Sequence, residues 1–186
     1  MIAYIITEGP FDSQLLQLLI PENLLDKVGI VTAGGVSNAI SLARSLVVRR
    51  QVPVALMIDA DSIAPELIQE RCQSIEEVVQ SVAGNIPVKV VAAIPEMEII
   101  FFQDASLLSR IFGFELSEDF LTSANLQPRK ALEQLFSRSK TIYNRADFIT
   151  TLEDNDIEIL RKSCVIQELI QFLQMVYETA EASQKV

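Results

Sequence analysis

Residues 54–62 read Val54-Ala55-Leu56-Met57-Ile58-Asp59-Ala60-Asp61-Ser62: five apolar residues in a row, then two acids one residue apart. A short apolar run with such a polar break predicts a strand buried on both faces, as parallel sheets require. Upstream, Ile2 to Thr7 and Val28 to Thr32 are similar runs, separated by helical stretches at Phe11 to Ile20 and Val36 to Arg50. Downstream, the helical stretch Pro65 to Ala83 leads into a fourth run, Val88 to Ile94. This alternation predicts an α/β fold with a parallel sheet of about four strands. Ligands of such sheets bind beyond the carboxyl ends of the strands. There the first three runs end in Glu8-Gly9-Pro10-Phe11-Asp12, Ala33-Gly34-Gly35 and Asp59-Ala60-Asp61-Ser62.

Alternate residues of a strand share a face, so the spacing aims Asp59 and Asp61 into one pocket. Two hard oxygen donors there suit Mg²⁺ or Mn²⁺. Asp61 and Ser62 are also good N-caps for the helix that follows. Capping accounts for them but not for Asp59, whose carboxylate follows directly on the apolar run. Glu8 holds the corresponding place at the end of the first strand, and Gly9 lets the chain turn sharply beside a ligand.

Composition narrows the chemistry. With 186 residues, 49% of them hydrophobic and 22% charged, the chain can bury a substantial core and is not disordered. Its 25 acidic against 15 basic residues give a net charge of -10, so any contact with nucleic acid is local or metal-mediated. The absence of histidine removes Ser-His-Asp and Cys-His catalysis and His-ligated zinc. Cys72 and Cys164 form no CxxC pair, which predicts neither a zinc knuckle nor a disulfide framework and suits a reducing cytoplasm. Met1 to Thr7 lacks the basic start of a signal peptide, and no apolar run reaches the roughly 18 residues of a membrane span.

Taken together, a first strand ending in Glu8-Gly9 with Asp12 beyond it, a second ending in Gly34-Gly35 and a third ending in Asp59-Ala60-Asp61 resemble the Toprim domain. This is the metal-binding catalytic module of topoisomerases, bacterial primases, OLD-family nucleases and ribosomal RNA maturases. The resemblance covers about the first hundred residues and implies a Rossmann-like Toprim fold. It also implies that Glu8 acts as general acid/base or metal ligand, and that Asp59 and Asp61 hold Mg²⁺ or Mn²⁺. Gly9 would be the turn residue, Asp12 an additional acid, and Gly34 and Gly35 would allow close backbone approach below the site. Ile94-Pro95-Glu96-Met97-Glu98-Ile99 looks like the acidic segment of small Toprim-like defence proteins and OLD-type nucleases. Helical spacing turns only one of Glu96 and Glu98 to the pocket. Glu98 is favoured as a further metal ligand, and two solvated acids at a helix start are the alternative.

After Pro95 the pattern turns helical, with helices expected at Pro128 to Ser137, Arg145 to Leu152 and Asp156 to about Ala180, and a fraying tail from Glu178 to Val186. The chain thus divides into a Toprim-like α/β part, residues 1–103, and a helical extension, 104–186, packed on or beside it as one unit. Pro128-Arg129-Lys130-Ala131-Leu132 resembles the place where those proteins carry a lysine, which implies a catalytic role for Lys130. Residues 127–145 hold Arg129, Lys130, Arg138, Lys140 and Arg145 against Glu133 alone, a patch that either contacts phosphate or is a solvated helix face. The leading expectation is a metal-dependent, nuclease-like module acting on nucleic acid in phage defence or DNA repair, with an ATPase or other protein as the expected partner. A Toprim-fold accessory protein without catalysis is the second reading. A DxD glycosyltransferase, which leaves Glu8-Gly9 unexplained, is the third.

Overall fold

Four parallel strands, β1 (Ala3–Thr7), β2 (Val28–Thr32), β3 (Val54–Asp59) and β4 (Val88–Ala93), form one sheet in the order β2-β1-β3-β4 in the computed structural model, which describes residues 1–184. The Val- and Ile-rich runs are buried on both faces because helices cover both. Ile6, Leu56, Ile58 and Val90 pack under α3 (Val36–Arg50) and α4 (Pro65–Ala83). Ala3, Ile5, Ala55, Met57, Val91 and Ala93 face α1 (Pro10–Leu19) and the helices that follow Pro95. A four-residue helix, α2 (Glu22–Leu25), links α1 to β2.

The C-terminal half is all-helical: a 3₁₀ helix (Met97–Gln103), α5 (Ala105–Phe112), α6 (Glu118–Leu126), α7 (Pro128–Arg138), α8 (Arg145–Thr150), α9 (Asp154–Arg161) and α10 (Cys164–Gln184). These helices share a core with the sheet. Phe101 stands edge-on to Phe148 at 4.9 Å between centroids, and Phe148 stacks on Phe112 at 5.7 Å. Phe101 also meets Phe11 of α1 at 6.2 Å, so the aromatic cluster ties the extension to the sheet-side helix. The long helix expected from Asp156 is instead two. The chain breaks at Lys162 and buried Ser163, whose carbonyl accepts the Gln167 N–H and starts α10. Residues 178–184 continue α10, while 185 and 186 of the expected fraying tail lie outside the described residues. No helix among the described residues is long and apolar enough to cross a membrane.

Candidate active site

The strand order places β1 beside β3, and the crossovers after them diverge, so the point where the topology reverses lies between their carboxyl ends. Thr7 pairs with Met57, which brings the next residues together: the Asp59 N–H donates to Glu8 Oε1 at 3.1 Å. The Glu8 backbone is fixed from the other side. Its carbonyl accepts the N–H groups of Gly34 and Gly35 at 3.0 and 3.1 Å. Both glycines have positive φ, +80° and +115°, which is why glycine stands there. A Cβ on Gly35 would meet nothing within 4 Å, so the expected close approach below the site is not the reason for these glycines.

Gly9 differs from expectation in a similar way. Its φ of −123° is open to any residue, and the crowding comes from Asp12 Oδ2, 3.3 Å from where a Cβ would stand. That oxygen accepts the Gly9 N–H at 3.0 Å, and Pro10 begins α1, a position it suits. Buried Thr7 donates to the Gly9 carbonyl at 3.0 Å and shares a hydrogen bond with Ser13 at 2.6 Å. Residue type alone did not single out this hydroxyl pair, which steadies the Glu8 loop.

Asp59 follows Met57 in strand parity and therefore faces the helical extension. Its Oδ1 accepts the Met97 N–H at 2.9 Å and its Oδ2 an Arg129 Nη2–H at 2.5 Å. Asp61 does not join it. The chain leaves the strand at Ala60, Asp61 adopts φ +53°, and its exposed carboxylate pairs with Arg71 at 3.2 Å. Strand alternation stops where the strand does, so the i, i+2 rule fails for this pair.

Glu96 and Glu98 both turn to one residue, Arg129, although helical spacing predicted that only one would face the site. Glu96 is still extended as it caps the 3₁₀ helix, and Glu98 lies within its first turn. The Arg129 backbone N–H donates to Glu96 Oε2 at 3.1 Å and its Nε–H to Glu98 Oε1 at 3.2 Å. Glu98 is 1% exposed and also pairs with Arg145 at 2.9 Å. Lys130, one residue on and so about 100° around α7, is exposed and points elsewhere. Arg129 was visible in the sequence only as one member of a basic run. No spacing rule distinguishes it from Lys130.

A cleft of about 500 Å³ opens above this edge, lined by Glu8, Gly9, Asp12, Gly35, Asp59, Arg129 and Arg145 among others. Asp61, Glu98, Lys130 and Gly34 do not line it. Burial pushes Glu8, Asp12, Asp59 and Glu98 above the usual carboxylate range, Asp12 to about 6 with the Asp59 charge adding to the effect. Backbone N–H groups oppose the shift in Glu8 and Asp59, and Arg129 opposes it in Asp59 and Glu98. Burial works against the Arg129 charge, but Glu98, Asp59 and Glu96 outweigh it and hold the guanidinium protonated.

Among the described residues no three His, Cys, Asp or Glu side chains are grouped closely enough to hold a metal ion as they stand. The donors nevertheless suit a hard divalent cation in kind. Glu8 Oε2 and Asp12 Oδ1 accept no hydrogen bond from the described residues, and neither carboxylate is in an ion pair. Asp59 would complete a three-acid set on exchanging its Arg129 contact.

No protein-family model and no curated sequence matches the chain. Among solved structures it is similar to the C-terminal region of the Burkholderia pseudomallei OLD protein, with TM-score 0.55 and 13% identity over 93% of this chain and 96% of that one. The C-terminal region of the Xanthomonas campestris pv. campestris OLD protein aligns with TM-score 0.44 and 14% identity over 86% of this chain and 93% of that one. Sheet order, helical extension and the Burkholderia alignment agree, and the chain has the fold of an OLD C-terminal region, a Toprim fold.

Proposed function

We propose that the chain is a Toprim-type module that cleaves phosphodiesters in nucleic acid with Mg²⁺ or Mn²⁺. The observation supporting this reading is the one cleft in which Glu8, Asp12 and Asp59 face Arg129 and Arg145 at the strand ends. Glu8, Asp12 and Asp59 would hold the cation, which supplies Lewis acidity and a water of lowered pKa when bound. Arg145 and Arg129 offer planar donor edges that match phosphate oxygens. Glu8 Oε1 accepts the Asp59 N–H, so its Oε2 would either ligate the cation or, its proton affinity raised by burial, take the proton of the attacking water, and not both at once. Asp61 and Glu98 do not line the cleft: Arg71 holds Asp61 by Oδ2, and both arginines hold Glu98 by Oε1 while its Oε2 is buried without a partner.

The test is Mn²⁺-dependent cleavage of supercoiled plasmid and of RNA. Cleavage is expected from the wild type and is expected to vanish in Glu8→Gln and Asp59→Asn, with far-UV circular dichroism unchanged. A purified protein inert on both substrates would favour the second reading, an accessory or partner-binding Toprim fold. One observation favours it: Arg71 and Arg129 pair with Asp61 and Asp59.

A further inference from the structure

Asp59 has two oxygens, and a backbone N–H, that of Met97, occupies Oδ1. The other, Oδ2, is the oxygen that no backbone group occupies, and Arg129 Nη2 holds it at 2.5 Å. We infer that Arg129 is the resident cation on Asp59 and that it exchanges, yielding Asp59 Oδ2 when a divalent ion binds. The inference rests on the metal reading above and adds to it a competitor built into the chain.

Three features make Arg129 suited to exchange where a fixed structural arginine would not be. Its anchors are separate from the contested contact: the backbone N–H stays on Glu96 and the Nε–H on Glu98 when Nη2 lets go. Its side chain is 40% exposed and lines the cleft, so the released edge has room to move. Nη1 donates to no described residue, so Nη1 and Nη2 together form a free two-pronged edge once Asp59 is surrendered. That edge suits a phosphate oxygen pair arriving with the metal. Arg145 differs: it is engaged with Glu98 and Glu133 and touches neither oxygen of Asp59.

Competition for one oxygen has a measurable consequence, because a ligand that must first displace a resident cation binds with its affinity reduced by the cost of that displacement. Removing the guanidinium should therefore tighten metal binding. Mn²⁺ affinity, read by electron paramagnetic resonance of the free ion, is expected to rise about tenfold in Arg129→Gln over wild type. Arg129→Lys, which keeps the charge but loses the fork, is expected between them. A second readout uses the wild type, so that folding of the variants does not decide the matter. In a Mg²⁺ titration the ¹⁵N side-chain resonances of Arg129 are expected to shift in step with saturation. If the ion binds while those resonances stay still and Arg129→Gln binds no more tightly, the exchange is overturned and the metal reading stands. If neither protein binds the ion, the metal reading falls and the exchange falls with it. Tight binding by Arg129→Gln alone would support the exchange in its strongest form.

Discussion

Asp12 carries the largest shift among the acids of the cleft, from 3.8 to about 6, because it is buried beside Asp59 while its hydrogen bond from Gly9 only partly compensates. A raised carboxylate pKa means that the folded state binds the proton more tightly than the unfolded one. Without metal, this group's contribution is fully present below its unfolded pKa and is lost as pH rises from about 4 through about 6. The metal-free protein is expected to lose stability across that window in urea titrations, and Asp12→Asn, which can still accept the Gly9 N–H, is expected to flatten the slope. Added Mg²⁺ should reverse the trend above pH 6, since the ion selects the deprotonated acid. At this scale Glu8 and Asp59 were legible in the sequence, because each closes an apolar run and strand pairing brings neighbouring strand ends together. Asp61 was not, because a single left-handed residue turns it to Arg71.

At the scale of elements, the loop after β2 acts through its backbone. Gly35 at φ +115° presents its N–H to the Glu8 carbonyl, and alanine there would keep ample space but be strained. Gly35→Ala is expected to cost about 1–3 kcal/mol in denaturant unfolding, and to weaken metal binding by loosening Glu8. Phe148 of α8 is fully buried in the aromatic cluster that sets Arg145 over the cleft. Phe148→Ala is expected to cost about 3–5 kcal/mol, with plasmid binding weakened as well because α8 carries the arginine. The strands and the helices beside them could be read from hydrophobic period. A helix after Pro95 could be read as well, but not that Met97–Gln103 is a 3₁₀ helix, because its seven residues are buried on nearly every side and show no stripe that would set the pitch. That element is what turns both Glu96 and Glu98 onto Arg129.

For the whole molecule, a net charge of -10 opposes any polyanion, so binding should depend on cations more than on surface lysines. Millimolar Mn²⁺ is expected to raise the melting temperature of the wild type, and Asp59→Asn to remove the gain. Lys130 is exposed and outside the cleft. Lys130→Ala is therefore expected to lower oligonucleotide affinity only slightly and to reduce its salt slope by no more than about one charge, without touching the rate at saturation. The sequence also carried the α/β order and the helical second half, because both are written in hydrophobic period, but not which face of the sheet the helices would cover. The contact of Asp59 with Arg129 spans 70 residues of chain, and the cleft as a whole runs from Glu8 to Ala146. A ribosome therefore releases all the acids of the floor well before the arginines of the roof. Until α7 and α8 have emerged and docked on the phenylalanine cluster, the nascent sheet carries a bare negative edge. The cleft is thus completed late in biosynthesis, and a chain stalled after its first hundred residues would have Asp59, Glu96 and Glu98 without the arginines that pair with them.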